Sequence, residues 1–170
     1  MIVDLANIEG SSHPFKFSVP ADDLDLGIEN IRFKTAASAS GEITKHIIQT
    51  DIAGIISAEA EIDCTRCLLP IEKNLAIDFD VSYVAEDEFA EESNAELEAG
   101  DLNTDVLNGD RLDLKEVVRE QILLNLPTQV FCREDCKGLC QKCGVNRNLI
   151  DCKCEEKQAD PRWSALRNIK

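Results

Sequence analysis

Residues 48–83 read IQTDIAGIISAEAEIDCTRCLLPIEKNLAIDFDVSY, and their alternation decides the fold. In the first half the even positions carry Ile48, Ile52, Ile56, Ala58, Ala60 and Ile62. The odd positions carry Gln49, Asp51, Ser57, Glu59 and Glu61. In the second half the odd positions carry Ile71, Leu75, Ile77, Phe79, Val81 and Tyr83, opposite Asp78, Asp80 and Ser82. A period of two with one polar face marks antiparallel strands packed on one side only. Two such strands close together predict a hairpin, whose connection is Cys64-Thr65-Arg66-Cys67-Leu68-Leu69-Pro70.

Outward from this hairpin, residues 1–36 suggest short strands at Ile2-Val3, at Phe15, Phe17 and Val19, and from Ile31 to Ala36. Asp22–Glu29 reads as a loop or helical turn. Downstream, residues 86–105 hold nine acidic residues and no basic one, as solvated linkers do. Asn108-Gly109 marks a turn. Residues 113–126 read as a helix. Asp113 is the N-cap with Glu116 completing a capping box, Leu114, Val117, Val118, Gln121, Ile122 and Leu124 form the stripe, and Pro127 stops it. Asp160-Pro161 opens a short C-terminal helix whose apolar edge is Trp163, Leu166 and Ile169, with Trp163 the candidate docking residue.

The expected fold class is therefore α+β. An antiparallel β domain, with barrel-like closure as one form of it, spans residues 1–85. An acidic linker spans 86–112, and a helix packed on the sheet spans 113–131. A cysteine-rich module with the C-terminal helix spans 132–170. The chain has 170 residues, enough for one domain and a small appendage.

Six of the eight cysteines fall in CREDCKGLCQKCGVNRNLIDCKC, residues 132–154. Cys140-Gln141-Lys142-Cys143-Gly144 suits half of a tetrahedral zinc site, because two thiolates three residues apart meet one ion across a tight turn. Gly144 provides the positive φ that the turn needs. Cys152 and Cys154 close the expected structural site, with Cys132 and Cys136 as competing ligands. Six candidates for four places leave two thiols over. Cys64 and Cys67 with Arg66 form a candidate partner site or secondary metal site, since one CxxC cannot fill a zinc site alone. Arg66 is expected to favour thiolates by its charge. A catalytic dithiol, by contrast, calls for a thiolate at a helix N-terminus. His13 and His46 lie away from the cysteines and read as surface residues.

Residues 1–131 carry 27 acidic and 9 basic groups, and residues 132–170 carry 6 and 9. An acidic body repels phosphate and suits a basic protein partner. Any RNA contact is expected at Lys137, Lys142, Arg147, Arg162 and Arg167, where basic charge gathers. Aromatic residues are 5% of the chain, too few for a base-stacking platform. No signal peptide or membrane span is read, so the expected location is the cytoplasm, where thiols bind metal rather than form disulfides. The pattern contains no nucleotide loop, GxSxG or HExxH, so no enzyme and no catalytic residue is expected.

The ordering of CTRCLLP, acidic linker, LDLKEVVREQILLNLP, CREDCKGLCQKCG, DCKC and DPRWSAL resembles the YceD family, also called DUF177. The resemblance runs from about Ile52 onward. It is carried by Cys64, Arg66, Cys67, Leu126-Pro127, Asp135 to Cys140, Cys143-Gly144 and Asp160-Pro161-Arg162. It implies a factor needed for accumulation of 23S ribosomal RNA, acting in its synthesis, processing or stability, with plastid relatives. Taken with the acidic body, the expected partner is a ribosomal protein or a ribosome-assembly factor, with weak 23S rRNA contact. The competing functions are a thiol redox protein using Cys64 and Cys67, and a zinc carrier.

Overall fold

The computed structural model describes residues 1–8, 12–24, 26–85, 104–107 and 109–154. Arg162, Trp163, Arg167, the C-terminal helix and most of the acidic linker lie outside the described residues. The elements are β1 (Ile2–Asp4), β2 (Ser12–Val19), β3 (Ile31–Phe33), β4 (Ala37–Lys45), β5 (Gln49–Asp63), β6 (Pro70–Ala85), β7 (Thr104–Leu107), β8 (Arg111–Asp113) and α1 (Leu114–Asn125).

The expected hairpin is the spine of the fold. β5 and β6 pair antiparallel from Gln49↔Val84 to Asp63↔Pro70, so even positions of β5 face odd positions of β6. That register stacks Ile52 on Val81 and Ile56 on Ile77 on one face. Their side chains are buried, whereas Asp51, Glu59, Asp78 and Asp80 lie on the opposite face. Among the expected core residues of the hairpin, Ile71 and Leu75 are half-buried and Ile48 is exposed. It sits in the turn before β5 and is 53% exposed.

The sheet runs β2-β4-β5-β6-β7, and β3 pairs with the far end of β5. Among the described residues it is open, with no closed barrel. β7 joins β6 in parallel, within a stretch expected to be linker. β1 pairs with β8 as a separate two-stranded ribbon. β4 follows no large-residue pattern. Ala37, Ala39 and Ile43 are buried while Ser38, Ser40 and Glu42 are exposed, an alternation written mostly in small residues. Gly41 and Gly54 oppose each other across β4 and β5. A Cβ on Gly41 would fall 2.1 Å from the Ala53 carbonyl and 2.9 Å from the Phe15 ring. Only glycine admits that close approach.

Helix α1 covers the apolar face. Asp113 caps it by accepting from the Lys115 N–H at 3.0 Å. Leu114, Val117, Val118 and Ile122 join Ile52, Ile56, Phe79 and Val81 in one core. Leu124 does not share that stripe and is 77% exposed, because its helical position turns it away from the sheet. Beyond α1 the chain runs along the hairpin toward its tip. Leu126 packs on the main core, Val130 on a smaller one with Ala60 and Ile62, and Cys136 on a third with Cys64 and Cys67.

Candidate metal centres

Two groups of four cysteines lie at this end of the molecule. Cys64, Cys67, Cys132 and Cys136 have sulfurs all within 4.8 Å of one another, and so do Cys140, Cys143, Cys152 and Cys154. The four expected sulfurs of the tail lie together, and Cys132 and Cys136, expected to compete for the same places, lie in a second group. The two spare tail thiols meet the hairpin pair instead.

The two CxxC segments are built alike. In Cys64-Thr65-Arg66-Cys67-Leu68-Leu69, the Leu68 N–H donates to the Cys64 carbonyl at 2.9 Å and the Cys64 N–H to the Leu69 carbonyl at 2.8 Å. In Cys140-Gln141-Lys142-Cys143-Gly144-Val145, the Gly144 N–H donates to the Cys140 carbonyl at 2.9 Å and the Cys140 N–H to the Val145 carbonyl at 2.8 Å. The residue after the second cysteine is left-handed in both, with φ 58° at Leu68 and 72° at Gly144. This turn folds the backbone around the first sulfur. The N–H groups of the next residues then point at it, as metal-bound thiolates require.

Electrostatics follow from that geometry. Burial pushes the Cys64 thiol up, but N–H groups of Cys132, Arg66 and Cys67 outweigh it and bring it to about 6. N–H groups of Cys143 and Lys142, with the Cys152 thiol, bring Cys140 to about 6. Cys132 and Cys154 move the other way. Burial and then Cys136, Cys67 and Cys64 push Cys132 up to about 12, and Cys143, burial and Cys140 push Cys154 up to about 12. Burial opposes the Cys136 thiolate, but the Asn148 amide and the Gly138 N–H outweigh it and lower Cys136 as well, so N–H donors favour some thiolates while the gathered sulfurs disfavour the rest. A bound divalent cation is the natural compensation for four thiolates gathered so closely.

The hairpin tip is tied to the tail by more than sulfur. The Thr65 N–H donates to the Val130 carbonyl at 2.8 Å, and the Val130 N–H donates to Thr65 Oγ1 at 2.9 Å. The Leu139 N–H donates to the Arg66 carbonyl at 3.0 Å. Gly138, at φ 70°, lies so close that a Cβ there would be 2.8 Å from that oxygen. The Arg66 guanidinium donates to the carbonyls of Glu134 and Cys136 at 3.3 and 3.0 Å and lies 4.3 Å over the Phe131 ring. Arg66 thus clamps the tail with its side chain and reaches Cys64 through its backbone N–H, in place of the charge effect expected of it.

Asn148 was not singled out by the sequence. Its Nδ2 donates to Cys136 Sγ at 3.3 Å, and its Oδ1 accepts from the Lys137 N–H and from Arg133, both at 2.8 Å. The available signal was an amide side chain inside a cysteine-rich loop. Lys137, Lys142 and Arg147 are exposed around these loops. His46 pairs with Asp51 at 2.9 Å, and neither histidine belongs to a sulfur group.

A family model described as large ribosomal RNA subunit accumulation protein YceD matches residues 52–170. The chain belongs to the YceD family. All eight cysteines, the β5–β6 hairpin from Ile52 and α1 lie inside the family match. An uncharacterised protein of Mycobacterium tuberculosis is 29% identical over 144 residues, which is 85% of this chain but 59% of the relative. The chain thus spans somewhat over half the length of such mycobacterial relatives. YlbN of Bacillus subtilis, also uncharacterised, is 25% identical over 99% of this chain and 94% of its own length. A chloroplastic large ribosomal RNA subunit accumulation protein YCED homolog of Arabidopsis thaliana is 30% identical over 35% of this YceD-family chain and 18% of its own. No solved structure matches this chain at a significant level. No helix among the described residues is long and apolar enough to cross a membrane.

Proposed function

We propose that this protein is a non-enzymatic ribosome-biogenesis factor that supports the synthesis, processing or stability of 23S rRNA in the cytoplasm. The observation that carries the reading is the family match over residues 52–170, together with the ribosomal name of the chloroplastic relatives. The outward face of the sheet supports a protein partner. It presents Glu42, Glu59, Asp78 and Asp80, which favour a basic surface such as that of a ribosomal protein or assembly factor. Exposed Lys137, Lys142 and Arg147 provide a weaker, salt-dependent RNA contact. A zinc ion held by Cys140, Cys143, Cys152 and Cys154 orders the loops that display them.

The redox alternative fits less well. Cys64 has the lowered pKa that a dithiol catalyst needs, but its sulfur lies 3.9 Å from Cys136 and that of Cys67 lies 3.6 Å from Cys132. The N–H groups of Cys132, Arg66 and Cys67 account for the low value, and four gathered sulfurs suit a metal better than a two-thiol redox pair. Depletion of the protein should lower 23S rRNA relative to 16S rRNA, and purified protein should leave 23S fragments uncut and bind them weakly at physiological salt. An unchanged ratio removes the ribosomal reading, and tight salt-resistant binding overturns the protein-partner mechanism.

A further inference from the structure

We propose that Cys64, Cys67, Cys132 and Cys136 bind a second divalent ion of the zinc type, separate from the tail site, and that this ion staples the tail to the sheet. The proposal is independent of the ribosomal reading. It rests first on sulfur geometry. A tetrahedral zinc with Zn–S bonds of about 2.3 Å places its sulfurs about 3.8 Å apart. Cys67 and Cys132 are 3.6 Å apart, and Cys64 and Cys136 are 3.9 Å apart. Two of these cysteines come from the hairpin tip and two from the segment after α1, so no local spacing accounts for the convergence.

The second support is the matching turn. The hairpin CxxC repeats the hydrogen bonds of the tail CxxC, yet it has Leu68 where the tail has Gly144. A leucine held at φ 58° is strained, and it is 60% exposed, so no core packing compensates it. Ligation of the sulfurs on either side of that turn is what the conformation serves. The third support is donor placement. The Cys132 N–H lies 3.4 Å from Cys64 Sγ, and Asn148 Nδ2 lies 3.3 Å from Cys136 Sγ. Donors aimed at sulfur orient and stabilise metal-bound thiolates.

The fourth support is what surrounds the group. Its buried members are only Cys64, Cys67 and Cys136, with Ile71 and Leu139 packed alongside. So small an apolar patch adds little to the Val130 packing and the hydrogen bonds of Thr65 and Arg66 that hold the tail here. An ion there closes the chain between Cys67 and Cys132, and with it the acidic stretch, into one long loop. Cross-links that close long loops restrict the unfolded chain most.

The test uses the full chain saturated with Zn2+, with metal counted per protein and thiols probed by alkylation. Cys132 is the informative thiol, because it is the exposed member of the group, so its alkylation in the metal-free chain, slow as its raised pKa makes it, stops once a metal holds the sulfur. Two zinc ions per chain are expected, with Cys132 unreactive until chelator is added. Cys152→Ser/Cys154→Ser should retain one ion and keep Cys132 protected. Cys132→Ser/Cys136→Ser should lose one. Cys132 reacting equally fast with and without Zn2+ in the unsubstituted chain overturns the proposal, whether or not either variant folds. A single ion that keeps Cys132 protected and is lost in Cys64→Ser/Cys67→Ser upholds it and removes the tail site instead, whereas one that survives that substitution overturns it.

Discussion

The hairpin tetrad and the tail tetrad share one turn but differ in what surrounds them. Three of the four hairpin cysteines are buried, and the four come from parts of the chain more than sixty residues apart. The tail sulfurs are half-buried or exposed, and all four come from 15 consecutive residues. The lesson is that one local motif serves two purposes according to its partners. At the hairpin it joins two regions. In the tail it shapes a loop and leaves sulfurs within reach of solvent and of a competing ligand.

Removing each pair separately tests this division. Cys64→Ser/Cys67→Ser should lower the melting temperature of the whole protein and release the tail, because metal affinity is folding free energy, here on the order of several kcal/mol. Cys140→Ser/Cys143→Ser should disturb chiefly residues beyond about Leu139, loosen the hairpin site only through Asn148, and lower the main transition much less. Calorimetry of the two zinc-saturated variants distinguishes them, and equal losses would erase the distinction.

Asn148 belongs to the tail loop but donates to Cys136 of the hairpin tetrad, so it couples the two regions. Asn148→Ala should weaken zinc at the hairpin tetrad by about 10–100-fold, the usual effect of losing such a donor. Competition with a coloured chelator measures it. If only the tail affinity falls, the coupling is wrong.

The turn residues should respond in opposite directions. Gly144 has open space around its Cβ position, so Gly144→Ala should cost only the left-handed strain of about 1 kcal/mol. Leu68→Gly relieves the same strain at an exposed site, and the greater freedom of glycine in the unfolded chain offsets part of it. The hairpin variant should be neutral or more stable by up to about 1 kcal/mol. Denaturant unfolding of both variants decides. A strongly destabilised Leu68→Gly would mean that the leucine side chain itself is needed.

A charge ladder near the tip gives the smallest effect. Arg32 bridges Glu61 and Asp63, and Lys34 bridges Glu61 and Glu72. Hydrogen bonds from Arg32 and then Lys34 hold the Glu61 carboxyl below its ordinary value of 4.5. A lowered folded-state pKa means the contribution is present above that value and fades as pH falls through the folded one. The ladder is exposed, so the effect should be slight. The stability difference between the unsubstituted chain and Glu61→Gln should shrink on acidification below about pH 4.5. A constant difference would deny Glu61 this role.

Much of the fold was legible from residues 48–83. Hydrophobic alternation is local, and the register of Ile52 on Val81 continues it. The cap at Asp113 and the buried stripe of α1 were legible for the same reason. β4 was not, because Ala-Ser-Ala-Ser-Gly alternates in size and polarity without large apolar residues. β7 was hidden by its acidic surroundings. In the candidate site, the tail spacing pointed to Cys140, Cys143, Cys152 and Cys154, which the structure gathers. The grouping of Cys132 and Cys136 with the hairpin pair depends on the path from Leu126 past Val130 to the tip, which no local spacing encodes. Arithmetic held the clue: two cysteines over in the tail and two alone at the tip make a second four.

Amide hydrogen exchange of the zinc-saturated protein, before and after chelation, tests most directly whether the hairpin tip and the tail are one metal-held unit. The account predicts that residues 64–69 and 130–139 lose protection together, while the middle of β5 and β6 keeps theirs. Loss of protection in 140–154 alone, with the tip and 130–139 unchanged, would contradict it.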